Sequence, residues 1–232
     1  MLLIISHFRL ETIHNANFIH RDFHSGNILF DLTSGTRHQY QIGDLGLSQP
    51  ANNTSSNNEI YGVIPYIAPE IFKGSSFSKE SDVYSLGMIM WEFTTGCKPF
   101  ANVEHDHNLI YQIIDGRRPE ITDDTPEFFA NLMKSCWNSN PKERPSIMEI
   151  RKTFYQWFQR NKDKDKFAQA EKKRIKLMSL KKLGPEFTEI PHPKAIFTSR
   201  PLRSLISKSS SINSSSAISF QGMYCVSLKH KL

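Results

Sequence analysis

The stretch SDVYSLGMIMWEFTTG, residues 81–96, limits the possible folds more than any other part of this sequence. Its composition suits a helix, yet its apolar side chains leave almost no polar face; they are Val83, Leu86, Met88, Ile89, Met90, Trp91 and Phe93. A helix that is apolar on every side has to be enclosed by other elements. The sequence therefore predicts a helical body built around this segment.

Other segments predict helices that bury one face. In TPEFFANLMKSCW, apolar residues recur at helical spacing, with Thr125 as the predicted cap and Pro126 in the first helical position. In SIMEIRKTFYQWF, Ser146 and Glu149 form a capping-box pattern. The run NLIYQIIDG predicts a short helix that ends at Gly116.

Strand signals are few and lie before the predicted helical body. A short strand precedes Arg21, and two runs, residues 28–30 and 40–43, are predicted to pair as a hairpin through a turn at residues 33–35. The predicted fold class is therefore mainly α with a small β-ribbon.

Charge and composition divide the chain into three parts. Dense hydrophobic periodicity covers residues 1–158, a basic and helix-forming run covers 159–183, and a Ser- and Pro-rich stretch covers 184–232. Between Arg160 and Lys182 lie ten basic and three acidic residues, whereas the whole chain has a net charge of only +6. The remainder is near neutral, which argues against nucleic-acid binding as the main function. We expect the last part to be a disordered tail.

The cysteines and the N-terminal residues indicate the compartment. Cys97, Cys136 and Cys225 are odd in number and widely spaced, so the sequence offers neither a disulfide framework nor a CxxC metal site. The opening MLLIIS is too short for a membrane-spanning helix and lacks the basic start of a signal peptide. We therefore predict an intracellular, cytoplasmic protein without a transmembrane segment.

Polar residues stand at the ends of the predicted strands. Asn27 precedes the first strand of the hairpin and Asp44 follows the second, so pairing should bring the two side by side. Oxygen-bearing side chains of this kind suit Mg²⁺. Asp22, five residues before Asn27, would be within reach as a proton acceptor.

Two other interpretations of these residues stay open at this point. Asp and Asn in such loops often only form local hydrogen bonds to the backbone. Alternatively, His20, Asp22 and His24 alternate as HxDxH and could hold the metal of a hydrolase, although the sequence nominates no further ligand for it.

The order and spacing of the polar residues distinguish among these interpretations. The sequence resembles the protein kinase family, with its HRDxxxxN, DFG and APE signatures. The matching residues are His20-Arg21-Asp22 with Asn27, Asp44-Leu45-Gly46 and Ala68-Pro69-Glu70. The resemblance continues through Asp82, Gly87 and Arg144, covers residues 1 to about 158, and corresponds throughout to the C-terminal lobe of a kinase.

The resemblance implies a role for each matching residue and ATP with Mg²⁺ as cofactors. His20, Arg21 and Asp22 match the catalytic motif, in which Asp22 matches the base that accepts the proton of a protein substrate's hydroxyl group. Asn27 and Asp44 match the Mg²⁺ ligands, and Arg21 matches the arginine that pairs with a phosphorylated activation segment.

The remaining matches imply support and regulation. Glu70 and Arg144 match an ion pair that anchors the activation segment, and Asp82 matches a residue that hydrogen-bonds the HRD turn from beneath. Within residues 44–70, the possible phosphorylation sites are Thr54, Ser55, Ser56 and Tyr61.

Three departures from the family pattern bear on specificity. Leu45 replaces the usual phenylalanine by an apolar residue of similar volume. His24 stands where serine/threonine kinases have lysine, and Val63 where they have threonine. The sequence is thus more similar to the tyrosine-kinase-like branch, which leaves Ser/Thr and Tyr open as the acceptor.

The parts of a kinase that cover the ATP phosphates are not found before Ile19, where neither a glycine-rich loop nor the ATP-contacting lysine occurs. We therefore expect a kinase domain truncated at its N-terminus and inactive alone, with a partner covering the exposed face of the lobe. The alternative is a non-catalytic, pseudokinase-like interaction module.

Overall fold

The computed structural model describes residues 10–31, 39–52, 59–158, 160–180 and 191–207. About half of this part is helical, and its strands form small antiparallel sheets. The helices are α1 (Leu10–Asn15), α2 (Pro69–Phe72), α3 (Lys79–Thr95), α4 (His107–Ile114), α5 (Glu127–Cys136), α6 (Ile147–Phe158) and α7 (Lys164–Ser179). The strands are β1 (Phe18–Ile19), β2 (Ile28–Asp31), β3 (Gln39–Ile42), β4 (Gln49–Pro50), β5 (Tyr61–Gly62) and β6 (Arg200–Pro201).

Helix α3 is the centre of the fold. It is enclosed as predicted, because Tyr84, Met88 and Trp91 are 0% exposed and most of its other residues are buried. The side chain of Ser78 accepts a hydrogen bond from Ser81 N at 3.3 Å and caps the N-terminus. Gly96 ends the helix with φ 71°, a left-handed conformation that glycine adopts at low cost.

The contact between α3 and α5 depends on Gly87. A β-carbon placed there would lie 2.9 Å from Cβ of Cys136 and 3.3 Å from the carbonyl oxygen of Met133. Burial raises the pKa of the Cys136 thiol to about 12, which keeps this side chain neutral in the packed interface. The two helices therefore approach closely only because position 87 has no side chain.

Replacement of Gly87 with valine is expected to destabilise the protein by about 1–3 kcal/mol, because the added methyl groups overpack this interface. Urea unfolding followed by circular dichroism measures the change. The matched control is Asn131→Val on the exposed side of α5, where asparagine and valine have similar helix propensity. Equal stability of the Gly87 variant and the wild type would contradict the close approach.

The caps of α5 and α6 test two sequence predictions. The predicted cap at Thr125 is wrong, because Pro126 is the N-cap and its carbonyl oxygen accepts from Phe129 N and Ala130 N at 2.9 Å. The Thr125 hydroxyl instead contacts that of Thr122 at 3.1 Å. The Ser146 capping box is confirmed: Ser146 N donates to Oε2 of Glu149 at 2.7 Å, and Glu149 N donates back to Ser146 Oγ at 3.3 Å.

The predicted hairpin is confirmed. Strands β2 and β3 pair antiparallel, with Ile28 opposite Ile42 and Phe30 opposite Tyr40. The predicted turn at residues 33–35 lies outside the described residues. Helix α4 ends at Ile114, two residues before the predicted end at Gly116.

The C-terminal residues 191–207 pack against the helical body, so the prediction of a disordered tail is wrong for this stretch. Strand β6 pairs antiparallel with β5, and Leu202 is 0% exposed within the main hydrophobic core. The prediction rested on serine and proline content, but a few apolar side chains and backbone hydrogen bonds are enough to hold this stretch in place. The rest of 184–232 lies outside the described residues, as do 1–9.

Within the described residues, no helix combines the length and the apolar composition needed to span a membrane.

Candidate active site

The loop after β1 is fixed from below by the central helix. Asp82 of α3 is 1% exposed, and its carboxylate accepts hydrogen bonds from His20 N at 2.8 Å and Arg21 N at 3.0 Å. It also lies 2.9 Å from Nε2 of His14 in α1. Arg21 has φ 72°, so this carboxylate holds a backbone conformation that arginine rarely adopts. The most buried element of the fold thus sets the shape of the loop.

His20 connects this loop to the end of β3. Its ring is 0% exposed, with Nε2 donating to the Gly43 carbonyl oxygen at 3.2 Å and Nδ1 accepting from Asp22 N at 3.4 Å. Both ring nitrogens are therefore used within the fold. This position makes His20 a residue that holds the loop rather than one that faces a substrate.

Asp22 and Asn27 lie at the two ends of the same loop. The side-chain nitrogen of Asn27 donates to the Asp22 carbonyl oxygen at 2.9 Å. The Asp22 carboxylate is largely buried, and its Oδ1 lies 3.7 Å from Nε2 of His24. These contacts give the backbone and the side chain of Asp22 defined positions within the loop.

The hairpin brings Asn27 close to Asp44 in the chain fold, as strand pairing predicts. Gly43 N donates to the Asn27 carbonyl oxygen at 2.8 Å, which extends the β2–β3 ladder to Asn27 and places Asp44 next in the chain. Asp44 is exposed with φ 54°, and its Oδ1 accepts from Gly46 N at 3.4 Å. Asn27 Nδ2 donates to the Asp22 carbonyl oxygen, and the amide oxygen of Asn27 is the side-chain atom that could bind a cation. This pair of oxygen donors fits Mg²⁺.

The Arg21 side chain lies in a pocket formed by residues before and after β4. Its Nη1 donates to the Leu47 carbonyl oxygen at 3.4 Å, and its guanidinium carbon lies 4.8 Å above the Phe77 ring. Burial lowers the pKa of Arg21, while the charge of Asp82 raises it. Glu59 and Tyr61 line the same pocket.

Of the four candidate phosphorylation sites, Tyr61 lies in β5. The negative charge of Glu59 raises the pKa of the Tyr61 hydroxyl. Thr54, Ser55 and Ser56 lie outside the described residues.

Glu70 and Arg144 form a bidentate ion pair between α2 and the loop before α6. The two distances are 2.6 and 2.7 Å. The arginine also donates to the carbonyl oxygens of Glu80 at 2.9 Å and Asn138 at 2.8 Å, and its side chain is 0% exposed. Every side of this guanidinium is therefore occupied by a specific partner or by the Tyr84 ring at 5.3 Å.

Sequence reasoning missed a polar network beside the loop. Lys98 Nζ lies 2.6 Å from both Ser25 Oγ and Glu92 Oε1. The Tyr66 hydroxyl donates to Glu92 Oε2 at 2.6 Å, and burial together with the Glu92 charge raises the pKa of Tyr66 well above its usual value. No local pattern could reveal this network, because Ser25 and Lys98 are 73 positions apart.

The metal-hydrolase interpretation receives no support from the geometry. His20 uses both ring nitrogens, and His24 Nδ1 accepts from Gly26 N at 3.1 Å. Among the residues that the structure describes, no group of three or more His, Cys, Asp and Glu side chains is placed to hold a metal ion.

Comparison with known proteins supplies the family. The profile described as "Protein tyrosine and serine/threonine kinase" matches residues 9–154. A "probable serine/threonine-protein kinase" of Dictyostelium discoideum is 33% identical over 142 residues, which cover 61% of this chain and 8% of the relative. The stress-activated protein kinase alpha of the same organism is 34% identical over 157 residues, covering 61% of this chain and 24% of the relative. The chain thus spans a small part of these relatives' length.

Proposed function

Because the chain belongs to the protein kinase family, we propose that residues 10–158 carry the catalytic loop of an enzyme that transfers the γ-phosphoryl group of ATP to a protein hydroxyl group. The observation that carries the proposal is the hydrogen bonding that links the candidate site residues: Asn27 Nδ2 donates to the Asp22 carbonyl oxygen, and Gly43 N, next to Asp44, donates to the Asn27 carbonyl oxygen. One of the two relatives is named as a probable serine/threonine-protein kinase, and we propose a serine or threonine acceptor on that basis. From His24 and Val63, we also propose that the chain belongs to the tyrosine-kinase-like branch of the family.

The proposed reaction transfers one phosphoryl group in a single step, with every atom and charge accounted for. The substrate hydroxyl oxygen forms a bond to the γ-phosphorus of ATP, the bond from that phosphorus to the bridging oxygen breaks, and ADP leaves. Asp22 accepts the hydroxyl proton. Mg²⁺, held by Asn27 and Asp44, would supply neutralisation of the phosphate charge.

The remaining site residues hold this arrangement in place. Asp82 and His20 fix the backbone on either side of Arg21, and the Glu70–Arg144 pair anchors the segment that follows β5. Arg21, which shares a pocket with Glu59 and Tyr61, would pair with the phosphate of a modified residue in the segment 44–70.

We propose that the described residues form the larger lobe of the kinase domain and that another part of the protein, or a partner, covers the surface beside Asp44. Leu29 and Leu45 support this, because they are 56% and 53% exposed at the edge of the candidate site. Exposed apolar side chains next to polar ligands suit a surface that another element covers. Without that cover, we expect the chain to transfer phosphate poorly.

Nucleotide binding tests the proposal. In protein expressed from its own gene, ATP should bind at least about tenfold more tightly with Mg²⁺ than without it, and Asp44→Asn should abolish this difference, because it removes a metal ligand. Isothermal titration calorimetry measures both affinities. Asp165→Asn, an exposed change in α7, is the matched control and should behave as wild type. Folded protein that shows no Mg²⁺-dependent nucleotide binding would instead be a non-catalytic interaction module.

A further inference from the structure

The chain's own C-terminal residues lie along β5 in the manner of a bound peptide. Arg200 stands opposite Gly62 in the antiparallel pair, and Leu202 N donates to the Ile60 carbonyl oxygen at 2.9 Å. Leu202 is completely buried, whereas Ser199 and Pro201 are exposed. An extended segment that adds backbone hydrogen bonds to a strand edge and inserts one side chain into a pocket is a common form of peptide recognition.

His105 holds the same segment at a second place. Its backbone N donates to the Lys194 carbonyl oxygen at 3.0 Å, and its own carbonyl oxygen accepts from Nη2 of Arg200 at 2.7 Å. Ring atom Nδ1 lies about 3 Å from the Ile196 backbone, at 2.9 Å from the carbonyl oxygen and 3.1 Å from the nitrogen. The Phe197 ring meets the imidazole edge-on, with 4.8 Å between centroids.

One end of the contact lies next to the proposed base. A β-carbon placed at Gly62 would be 3.5 Å from Oδ1 of Asp22. Since Arg200 pairs with Gly62, the segment runs alongside the strand residue that lies near the carboxylate that would receive the substrate's proton.

The other end is connected to the catalytic loop through Lys98. Lys98 Nζ is 5.9 Å from the centre of the Phe197 ring and 2.6 Å from Ser25 Oγ within that loop. Thr198 and Ser199, both exposed, lie between the two points of contact. The segment therefore crosses the surface that a protein substrate has to reach.

We propose that residues 192–207 occupy the protein-substrate surface in cis and compete with substrates for it. For brevity we call these residues the strap. The proposal rests on the proposed phosphoryl transfer for its consequence, which is that substrates must displace the strap. It also indicates the preferred substrate class: an extended peptide with an aromatic residue, an arginine three positions later and a leucine two positions after that, as in Phe197, Arg200 and Leu202.

Tethering explains why such weak individual contacts can hold the strap in place. A segment tethered to its own binding site can have an effective concentration on the order of millimolar. A free peptide with the same contacts therefore has to exceed that concentration before it displaces the strap from the full chain.

The test uses a fluorescently labelled synthetic peptide of residues 192–207 and the full chain, without nucleotide. Leu202→Asp places a charge in the buried pocket and should release the strap. Fluorescence anisotropy should then show at least about tenfold tighter peptide binding to this variant than to wild type, because the competing tether is gone. In hydrogen exchange, protection of the His105 amide should fall at least about tenfold, since its acceptor on Lys194 is removed.

Ser204→Asp is the matched control, because it adds the same charge at an exposed position two residues away. It should bind the peptide as weakly as wild type. If circular dichroism shows that the Leu202 variant is unfolded, Arg200→Ala replaces it, since that change removes only the donor to the His105 carbonyl oxygen. Equal peptide binding by wild type and the released variant, or binding by neither, overturns the proposal.

The two proposals fail in different measurements. Peptide binding is read without ATP, so it stays informative if the protein transfers no phosphate. Tighter peptide binding to the released variant, without Mg²⁺-dependent nucleotide binding, would support the proposed role of the strap and reject the proposed kinase activity.

Discussion

Replacement of Asp22 with asparagine should reduce the rate of phosphoryl transfer by about 10²–10⁴-fold, the range expected when a positioned general base is lost. Asparagine keeps the size of the side chain and the backbone carbonyl that accepts from Asn27 Nδ2. It removes the carboxylate, which is the group that would accept the hydroxyl proton. The defect should therefore appear in kcat, with ATP affinity nearly unchanged.

The measurement is a radiolabelled phosphate transfer assay in protein expressed from its own gene. Asp115→Asn, an exposed change after α4, is the matched control and should retain full activity. An Asp22 variant that keeps more than about a tenth of the wild-type rate would reject general-base catalysis by this residue.

Removal of the Arg144 side chain should cost about 3–5 kcal/mol of stability, because it leaves the Glu70 carboxylate without its buried partner. Arg144→Ala also deprives the carbonyl oxygens of Glu80 and Asn138 of their donors. Urea unfolding measures the loss. The control is Arg174→Ala, which breaks an exposed pair with Glu171 and should cost only about 0.3–0.5 kcal/mol.

A double variant separates the charge effect from packing. Arg144→Met combined with Glu70→Leu removes both charges and keeps apolar volume, so it should be closer to wild type than either single change. Similar losses for Arg144→Ala and Arg174→Ala would mean that burial gives the Glu70–Arg144 pair no special role.

Local sequence patterns predicted an element correctly where the residues that determine it are close in sequence. The enclosed helix α3, the capping box at Ser146 and the hairpin from Ile28 to Ile42 all follow from residues within one segment. The pairing of the two hairpin strands is also sufficient to predict that Asn27 lies near Asp44. The prediction of a cap at Thr125 was wrong by one residue, because Thr125 and Pro126 are adjacent and a local pattern does not fix which of them precedes the first helical residue.

Contacts between distant segments could not be predicted in this way. Nothing in the serine-rich tail indicates that Leu202 enters the core or that Arg200 reaches His105, since both depend on where the chain returns in three dimensions. The link between Lys98 and Ser25 is of the same kind. Composition describes the average behaviour of a segment, whereas one buried leucine and a few backbone hydrogen bonds can determine its position.

The anchoring of the catalytic loop on Asp82 has a consequence for regulation. Because His20 N and Arg21 N donate to a carboxylate on the most enclosed helix, the loop cannot open unless that helix moves. Local fluctuations are thereby confined to elements with fewer buried contacts. We therefore expect a signal that switches the proposed activity to act on the segment from Asp44 to Tyr61 or on the strap rather than on the loop.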